Sequence, residues 1–280
     1  MVRISIASGK GGTGKTLVAT NLAAVAGDAL LVDLDVEEPN CNLFFETRMV
    51  SQETVYRKVP FIHKDKCTLC GNCAKVCEFH AIASLPNDIL VFEEMCHGCG
   101  ACSRFCPEEA IEEQDHAIGE VIHEKADGLR GLTYGRLRIG EASASNLIKR
   151  VKKEIPEDGT TIVDCPPGTA CPAVESMRGS DICVLVTEPT PFGLHDLKLA
   201  LAVTSKLKLP RVVLLNKKGL PGPDINSFCS ENRIPIVGEI RHDRSIAESC
   251  SEGRLLVSEQ EYARTFRSAL SAVLEEARRT

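Results

Sequence analysis

Apolar residues recur along the chain in short, nearly uninterrupted runs. These runs occupy residues 2–7, 29–32, 161–163, 182–187, 212–215 and 234–237. Stretches with helical character separate most of them, among them residues 17–26, which contain good helix formers and no proline. Strands that are apolar almost throughout are typical of sheets buried on both faces. The pattern therefore predicts an α/β fold with a doubly wound, mainly parallel sheet covered by helices on both sides.

A glycine-rich loop follows the first predicted strand and precedes the first predicted helix. Residues 9–16 read GKGGTGKT, which satisfies the phosphate-binding pattern G-x-x-x-x-G-K-[ST] in its proper context. In such a loop the backbone N–H groups and the helix N-terminus face the phosphate oxygens. Lys15 then reaches the β- and γ-phosphates, and the Thr16 hydroxyl binds Mg²⁺. We predict that ATP or ADP is bound by Gly9, Gly11, Gly12, Thr13, Gly14, Lys15 and Thr16.

Eight of the 14 cysteines form two copies of one pattern, C-x2-C-x2-C-x3-C. The copies are Cys67, Cys70, Cys73 and Cys77, then Cys96, Cys99, Cys102 and Cys106. This spacing lets successive thiolates converge on a cuboidal iron–sulfur cluster, and in two-cluster proteins the fourth cysteine ligates the other cluster. We therefore predict two [4Fe-4S] clusters, one on Cys67, Cys70, Cys73 and Cys106 and one on Cys96, Cys99, Cys102 and Cys77.

The repeat extends beyond the cysteines, because Ala81 and Ile82 correspond to Ala110 and Ile111 at a constant offset. A zinc module is a weaker interpretation, since zinc sites usually take C-x2-C pairs separated by a long gap. Disulfides are weaker still, because nothing at the N-terminus resembles a signal peptide. We predict a small α+β bacterial-ferredoxin-like domain at residues 60–114, inserted into a P-loop nucleotide-binding domain formed by residues 1–59 and 115–280.

Lys10 indicates which group of P-loop proteins the loop resembles. A second lysine at this place makes the loop resemble the deviant Walker A signature of the MinD, Mrp and nitrogenase iron-protein group of P-loop ATPases. The order of segments resembles the branch of that group that carries an inserted ferredoxin domain. In the group the early lysine contacts the nucleotide of a second subunit. The resemblance therefore implies a homodimer in the ATP state, with Lys10 and Lys15 as catalytic residues.

The resemblance also implies roles for residues at the ends of other predicted strands. Asp35 matches switch I and would position the attacking water, whereas Asp33 could merely cap its strand. The segment DCPPGT matches switch II, in which Asp164 would hold Mg²⁺ through water and the Gly168 N–H would sense the γ-phosphate. Asn216 matches the asparagine that recognises adenine.

Six cysteines lie outside the repeated pattern. Four of them, Cys41, Cys183, Cys229 and Cys250, are most simply small apolar residues or unreactive thiols. Cys165 and Cys171 flank the switch II turn and are a less favoured pair of ligands for a metal site shared between subunits. His97 is interpreted as a surface residue of the second cysteine loop and not as a ligand.

Composition limits the partners that are expected. The chain has 280 residues, 43% of them hydrophobic, with 4% aromatic residues and no tryptophan, so aliphatic side chains must fill one large core. The formal net charge of -6 disfavours nucleic acid as a partner. No apolar stretch approaches the length needed to cross a bilayer, and we expect no membrane association and a cytoplasmic location.

Three functions fit these observations. The first is an ATPase whose nucleotide cycle is coupled to electron transfer through two clusters and which serves a redox or metallocofactor partner. The second is a carrier that hands an iron–sulfur cluster to apo-proteins, although two complete cysteine quartets favour retained redox centres. The third is a MinD- or ParA-like positional switch with redox sensing, although the C-terminal segment 262–280 mixes acidic with basic residues and its apolar stripe suits packing on the sheet.

Overall fold

The computed structural model describes residues 2–141 and 143–279. The strands are β1 (Val2–Ala7), β2 (Ala29–Asp33), β3 (Thr47–Ile62), β4 (Ile82–Ser84), β5 (Ile89–Val91), β6 (Ile111–Ala126), β7 (Gly131–Leu137), β8 (Thr160–Asp164), β9 (Ile182–Thr187), β10 (Arg211–Lys218) and β11 (Ile236–Arg241). The helices are α1 (Lys15–Ala26), α2 (Asn72–Lys75), α3 (Ala101–Arg104), α4 (Ala144–Lys152), α5 (Cys171–Met177), α6 (Pro191–Lys206), α7 (Ile225–Glu231), α8 (Arg244–Ser251) and α9 (Gln260–Arg279). Short 3-10 helices lie at Cys41–Phe44, Glu93–Met95 and Leu256–Ser258.

Nine strands form one sheet in the order β11-β10-β9-β1-β8-β2-β7-β6-β3. Every neighbouring pair from β11 to β7 is parallel, whereas β6 runs antiparallel to both β7 and β3. The predicted mainly parallel α/β sheet is therefore confirmed. Its central strands, β1, β8 and β9, end at one edge of the sheet, where ligand sites of such folds are found.

Helices cover both faces of this sheet. We call the sheet together with these helices the sheet body. One face packs against α1, α8 and α9, with Leu22, Phe266 and Val273 fully buried. The other face packs against α4 to α7, with Leu147 and Val151 fully buried. Aliphatic side chains dominate both layers, as a chain without tryptophan requires.

A long antiparallel ribbon leaves the sheet and carries the cysteines. Strand β6 pairs with β7 only between Gly119 and Glu124, and towards its start it pairs with β3 alone. Residues 63–110 connect the two ribbon strands and contain β4, β5, α2 and α3. We call this segment the cysteine module. The predicted domain limits, 60 and 114, lie inside the ribbon strands, and the division into two domains stays a prediction.

Three strands of the nine-stranded sheet, β3, β6 and β7, were not predicted from the apolar pattern. Along β3 most side chains are exposed, so its sequence shows no run of apolar residues. Strands β6 and β7 form by pairing with each other and with neighbours distant in the chain. The last predicted strand, 234–237, is displaced to Ile236–Arg241. The C-terminal segment forms α9 and packs on the sheet through Phe266, Leu270 and Val273, as predicted, while Thr280 lies outside the described residues.

Candidate nucleotide site and cysteine sites

At several positions in the loop between β1 and α1, the backbone conformation or the surrounding space permits only glycine. Gly12 and Gly14 have φ angles of 75° and 94°, in the left-handed region. A Cβ on Gly14 would lie 2.4 Å from Asn216 Nδ2, and one on Gly9 would lie 2.3 Å from the carbonyl oxygen of Asp196. The loop borders a cavity of about 670 Å³, whose wall includes Gly11, Gly12, Gly14, Lys15, Thr16 and Asp35. This volume is within the range of small-molecule sites.

Thr16 lines this cavity and contacts Asp164. The Thr16 hydroxyl donates to Asp164 Oδ2 at 2.7 Å, and Asp164 Oδ1 is buried without a hydrogen-bond partner among the described residues. Burial, followed by the charge of Asp33, raises the pKa of Asp164 to about 8. Mg²⁺ prefers oxygen ligands. The Thr16 hydroxyl and Asp164 Oδ1, which has no partner in the part of the chain that the structure describes, are therefore suitable ligands for Mg²⁺.

Asp33 organises the segment that follows β2. Its carboxylate accepts from the backbone N–H groups of Asp35 at 2.9 Å, Asn40 at 2.9 Å and Cys41 at 3.1 Å. Asp35 lines the cavity, and burial, followed by the charge of Asp33, raises its pKa to about 6. At neutral pH Asp35 is therefore ionised and can accept a hydrogen bond from a water molecule.

A buried cysteine also faces this carboxylate cluster. Cys41 Sγ lies 3.6 Å from Asp164 Oδ2, and ligand atoms of Asp33, Cys41 and Asp164 lie within 4.8 Å of one another. Burial and the two carboxylates raise the pKa of the Cys41 thiol well above its ordinary value. The thiol is therefore neutral, and Cys41 acts here as a weak hydrogen-bond donor.

Lys10 is held within its own chain by Glu188, which lies just after β9. Lys10 Nζ lies 2.7 Å from Glu188 Oε1, and Lys217 Nζ lies 2.8 Å from Glu188 Oε2. Burial raises the pKa of Glu188, but hydrogen bonds from both lysines outweigh it and lower the pKa to about 2. Sequence reasoning missed Glu188, although it follows a buried strand at the same edge of the sheet as the other site residues.

Two residues that were predicted to contact the nucleotide, Asn216 and Gly168, form hydrogen bonds with other residues of the protein. Asn216 Nδ2 donates to the carbonyl oxygen of Thr13 at 2.8 Å, and Asn216 Oδ1 accepts from the Lys217 N–H at 2.8 Å. Asn216 therefore braces the phosphate-binding loop. The Gly168 N–H donates to the carbonyl oxygen of Ser8 at 3.1 Å. Adenine recognition by Asn216 and γ-phosphate sensing by Gly168 stay predictions.

The structure brings the predicted sets of four cysteines around two separate cavities in the cysteine module. The first cysteine site is lined by Cys67, Cys70, Cys73 and Cys106, and the second by Cys77, Cys96, Cys99 and Cys102. Equivalent cysteines of the two sites have the same burial, because Cys73 and Cys102 are both buried whereas Cys70 and Cys99 are both exposed. Four thiols that converge on one cavity can hold a metal centre.

Backbone hydrogen bonds show the same repetition. The His63 N–H donates to the carbonyl oxygen of Ala110 at 2.8 Å, and the equivalent Phe92 N–H donates to that of Ala81 at 2.9 Å. The Ala81 and Ala110 N–H groups each donate to a cysteine sulfur at 3.3 Å. Each copy therefore closes against the other, and the two cysteine sites depend on one shared backbone arrangement.

Comparisons with known proteins agree with the nucleotide site. Residues 4–257 match the family described as the CobQ/CobB/MinD/ParA nucleotide binding domain. The chain is 33% identical over 226 residues to the uncharacterized protein MJ0578 of Methanocaldococcus jannaschii, covering 79% of each chain. It is 30% identical over 265 residues to MJ0579 of the same organism, covering 90% of each.

Solved structures share the fold at lower identity. MinD of Pyrococcus horikoshii, complexed with Mg-ADP, has a TM-score of 0.59 at 21% identity, covering 97% of this chain and 95% of that one. A plasmid partition protein of Borrelia burgdorferi bound to AMPPNP has a TM-score of 0.55 at 14% identity, covering 98% and 99%. No helix within residues 2–141 and 143–279 is long and apolar enough to cross a membrane. The chain belongs to the CobQ/CobB/MinD/ParA family of nucleotide-binding proteins.

Proposed function

We propose that this protein is a Mg²⁺-dependent ATPase that carries two [4Fe-4S] clusters and couples its nucleotide state to electron transfer. It serves a redox or metallocofactor partner protein. The observation that carries the proposal is the presence of two four-thiol sites on the fold of a nucleotide-binding family. Solved relatives that hold Mg-ADP or AMPPNP support the nucleotide part.

In the nucleotide part, Lys15 and the loop N–H groups bind the phosphates. Thr16 and Asp164 hold Mg²⁺, whose charge offsets the charge that develops on the phosphates. Asp35 orients the attacking water from the cavity wall, where its pKa of about 6 leaves it ionised at neutral pH. Lys10 completes the site in an ATP-bound homodimer once it leaves Glu188.

In the electron-transfer part, each cysteine site offers four sulfurs to one cluster. Backbone N–H groups already donate to Cys77, Cys96 and Cys106 at 3.3 to 3.4 Å. Such donors stabilise thiolates, so the sites fit an iron–sulfur cluster. A bound [4Fe-4S] cluster accepts and releases one electron, while the protein controls its potential through nearby charge and exposure.

The test begins with anaerobic purification and counting of iron and acid-labile sulfide. We expect about eight irons per chain, two [4Fe-4S] signals in electron paramagnetic resonance after reduction, and Mg²⁺-dependent ATP hydrolysis. Midpoint potentials are then measured without nucleotide, with ADP and with ATP. Zinc in place of iron contradicts the cluster assignment, and identical potentials and partner reduction rates in all three states contradict the coupling.

A second candidate function is delivery of a cluster to apo-proteins. It is favoured by the exposure of Cys70 and Cys99, because a donor cluster needs ligands that an acceptor can reach. Incubation of the radiolabelled-iron protein with an apo-ferredoxin distinguishes the two functions. Stoichiometric loss of iron from the cysteine module to the acceptor supports delivery, whereas retention supports electron transfer.

A further inference from the structure

A charged network centred on a buried ion pair joins the cysteine module to the sheet body at the second cysteine site. Arg57 Nη1 of β3 lies 2.8 Å from Glu141 Oε2, and each of these side chains is only 3% exposed. His116 of β6 lies between two carboxylates, 2.6 Å from Glu141 Oε1 and 2.9 Å from Glu93 Oε2. We call Arg57, Glu93, His116 and Glu141 the charged network.

The network contacts the backbone that carries a predicted cluster ligand. Arg57 Nη2 donates to the Glu93 carbonyl oxygen at 2.8 Å, and the Cys96 N–H donates to the same oxygen at 3.0 Å. Gly98 lies against Arg57, because a Cβ on Gly98 would be 2.7 Å from Arg57 Cγ. Burial raises the pKa of the Cys96 thiol, and the hydrogen bond from the Gly98 N–H, followed by the positive charge of Arg57, opposes that rise. Movement of the guanidinium therefore changes both the position and the electrostatic environment of Cys96.

The first cysteine site has no matching contact among the described residues. Leu69, which is equivalent to Gly98, is 39% exposed. The charged pair nearest in sequence joins Lys64 to Asp88 at 2.9 Å, with side chains 77% and 37% exposed. Charges in such a setting are screened by solvent, whereas those of a buried pair act in a lower dielectric. The two cysteine sites are therefore electrostatically unequal despite their similar ligands.

The other end of the network borders helices that follow the nucleotide site. Glu141 lies just before α4, and Asn146 of α4 donates to the His97 carbonyl oxygen at 3.4 Å in the second cysteine loop. Lys152 of α4 donates to the carbonyl oxygen of Arg178 at 2.8 Å, at the end of α5. Helix α5 begins shortly after the switch II segment that contains Asp164. Two hydrogen bonds of α4, together with the chain that runs from Asp164 into α5, thus link the switch II region with the second cysteine loop.

We propose that the charged network makes the second cysteine site responsive to the nucleotide state, and that Arg57 favours the reduced form of a cluster held there. The inference rests on the proposed function. One electron from a low-potential one-electron donor first reduces either cluster. When that electron passes from the first site to the second, the former cluster is oxidised and the latter reduced by one electron. Arg57 stabilises the added negative charge at the second site.

The test uses anaerobically prepared full-length protein and redox titration with dithionite, followed by electron paramagnetic resonance. Arg57→Met removes the charge, and Arg57→Lys keeps the charge but loses the two-armed contact. Lys64→Met is the matched control, because it removes one positive charge beside the first site. Iron and sulfide are counted in every variant, so absence of clusters in the wild type contradicts the proposed function and not this inference.

We expect Arg57→Met to lower one of the two one-electron midpoint potentials by about 59 mV, which corresponds to about a tenfold change in equilibrium constant, and to leave the other midpoint potential unchanged. Arg57→Lys is expected to keep the potential close to that of the wild type but to lose its difference between ADP and ATP. Glu141→Gln is expected to raise the same midpoint. Equal shifts of both midpoints, no shift, or an unchanged nucleotide response in both Arg57 variants overturns the inference, and so does an equal effect of Lys64→Met.

Discussion

The sheet body buries aliphatic side chains such as Ile4, Leu31 and Ile162 completely in two extensive layers. The packed apolar cluster of the cysteine module, in contrast, has four buried members, Cys73, Ile82, Ile89 and Cys102. Burial of apolar area contributes roughly 25 cal/mol per Å², so a core of this size supplies little stability by itself. Two of its members are also proposed ligands. We therefore expect the module to depend on the proposed clusters for its stability and the sheet body to be stable without them.

The same contrast holds for charge. In the sheet body two charged residues of the nucleotide site have partners within the protein, because Lys10 pairs with Glu188 and Asp33 accepts from three backbone N–H groups. In the cysteine module the thiols point to shared cavities, and cluster binding would supply their partners. A nucleotide site of this kind can bind, release and bind again without unfolding. A site made of thiols is instead expected to fold together with its metal.

The largest expected effect is on folding of the module when the iron of the proposed clusters is removed. After anaerobic chelation we expect backbone amides of residues 63–110 to exchange at least about 100-fold faster, because their small core no longer offsets the entropy of ordering. Amides of β1, β8 and β9 keep their protection. Hydrogen exchange read by mass spectrometry measures both. Module amides that stay protected in iron-free protein contradict the comparison.

Matched cysteine variants give the control for this experiment. Cys102 and Cys229 are both buried, at 8% and 1% exposure, but only Cys102 borders a cysteine site. Cys102→Ser is expected to lose about half of the bound iron and the protection of the module. Cys229→Ser is expected to retain both. A similar loss in the two variants indicates a general packing defect instead.

The second prediction concerns the proton that Asp164 holds in the metal-free protein. Its pKa of about 8 means that Mg²⁺ must displace a proton at pH 7, and we expect release of about one proton when Mg-nucleotide binds. Calorimetry in two buffers of different ionisation enthalpy measures this number. Asp164→Asn is expected to abolish the release, whereas the exposed control Asp28→Asn keeps it. Binding without net proton release contradicts the raised pKa.

The same shift has a consequence for stability. A carboxyl group whose pKa is raised in the folded state favours folding while it is protonated. The free energy of unfolding of the metal-free protein is therefore expected to fall as the pH rises from 3.8 towards about 8, the window set by the Asp164 pKa. Chemical denaturation at several pH values measures it. Mg-nucleotide is expected to flatten this dependence, because the metal offsets the exposed charge.

A smaller effect is expected from Glu188→Gln, which removes the charge that holds Lys10 and Lys217. Lys10 is 32% exposed, so its pair with Glu188 contributes about 1 kcal/mol, equivalent to roughly fivefold in association. We expect ATP-driven dimerisation to strengthen by about this factor, measured by sedimentation velocity with ATP and with ADP. Glu239→Gln, which removes the partner of Lys218 on β10, is the control. A dimer that is unchanged or weaker in Glu188→Gln contradicts a restraining role.

Features of the molecule that depend on contiguous residues could be predicted from the sequence. Features that depend on contacts between residues far apart in the chain could not. The phosphate-binding loop is encoded locally, because one contiguous motif supplies Gly12 and Gly14, whose backbone is left-handed. The parallel strands other than β7 were also predicted, since burial on both faces leaves an apolar run. Arg57 and Glu141 meet across a separation of 84 residues, so no local pattern could indicate their pairing. The same holds for Lys10 and Glu188, 178 residues apart.

The smallest expected effect separates the two halves of the cysteine repeat. Leu69 has a φ angle of 57°, and the equivalent Gly98 has one of 67°. For Leu69→Gly, relief of left-handed strain, about 1 kcal/mol, is nearly cancelled by the entropy that glycine gains in the unfolded chain. We expect the half-time of iron release to a chelator to change by less than about twofold.

The opposite substitution, Gly98→Leu, is expected to accelerate iron release about tenfold or more. Its Cβ would lie 2.7 Å from Arg57 Cγ and 3.0 Å from the Lys58 carbonyl oxygen, so the loop must move away from the ribbon. Both rates are read from the loss of visible absorbance under anaerobic conditions. Because the two positions are equivalent in the repeat, equal rates for the two variants would show that contact with the ribbon does not distinguish the second cysteine site from the first.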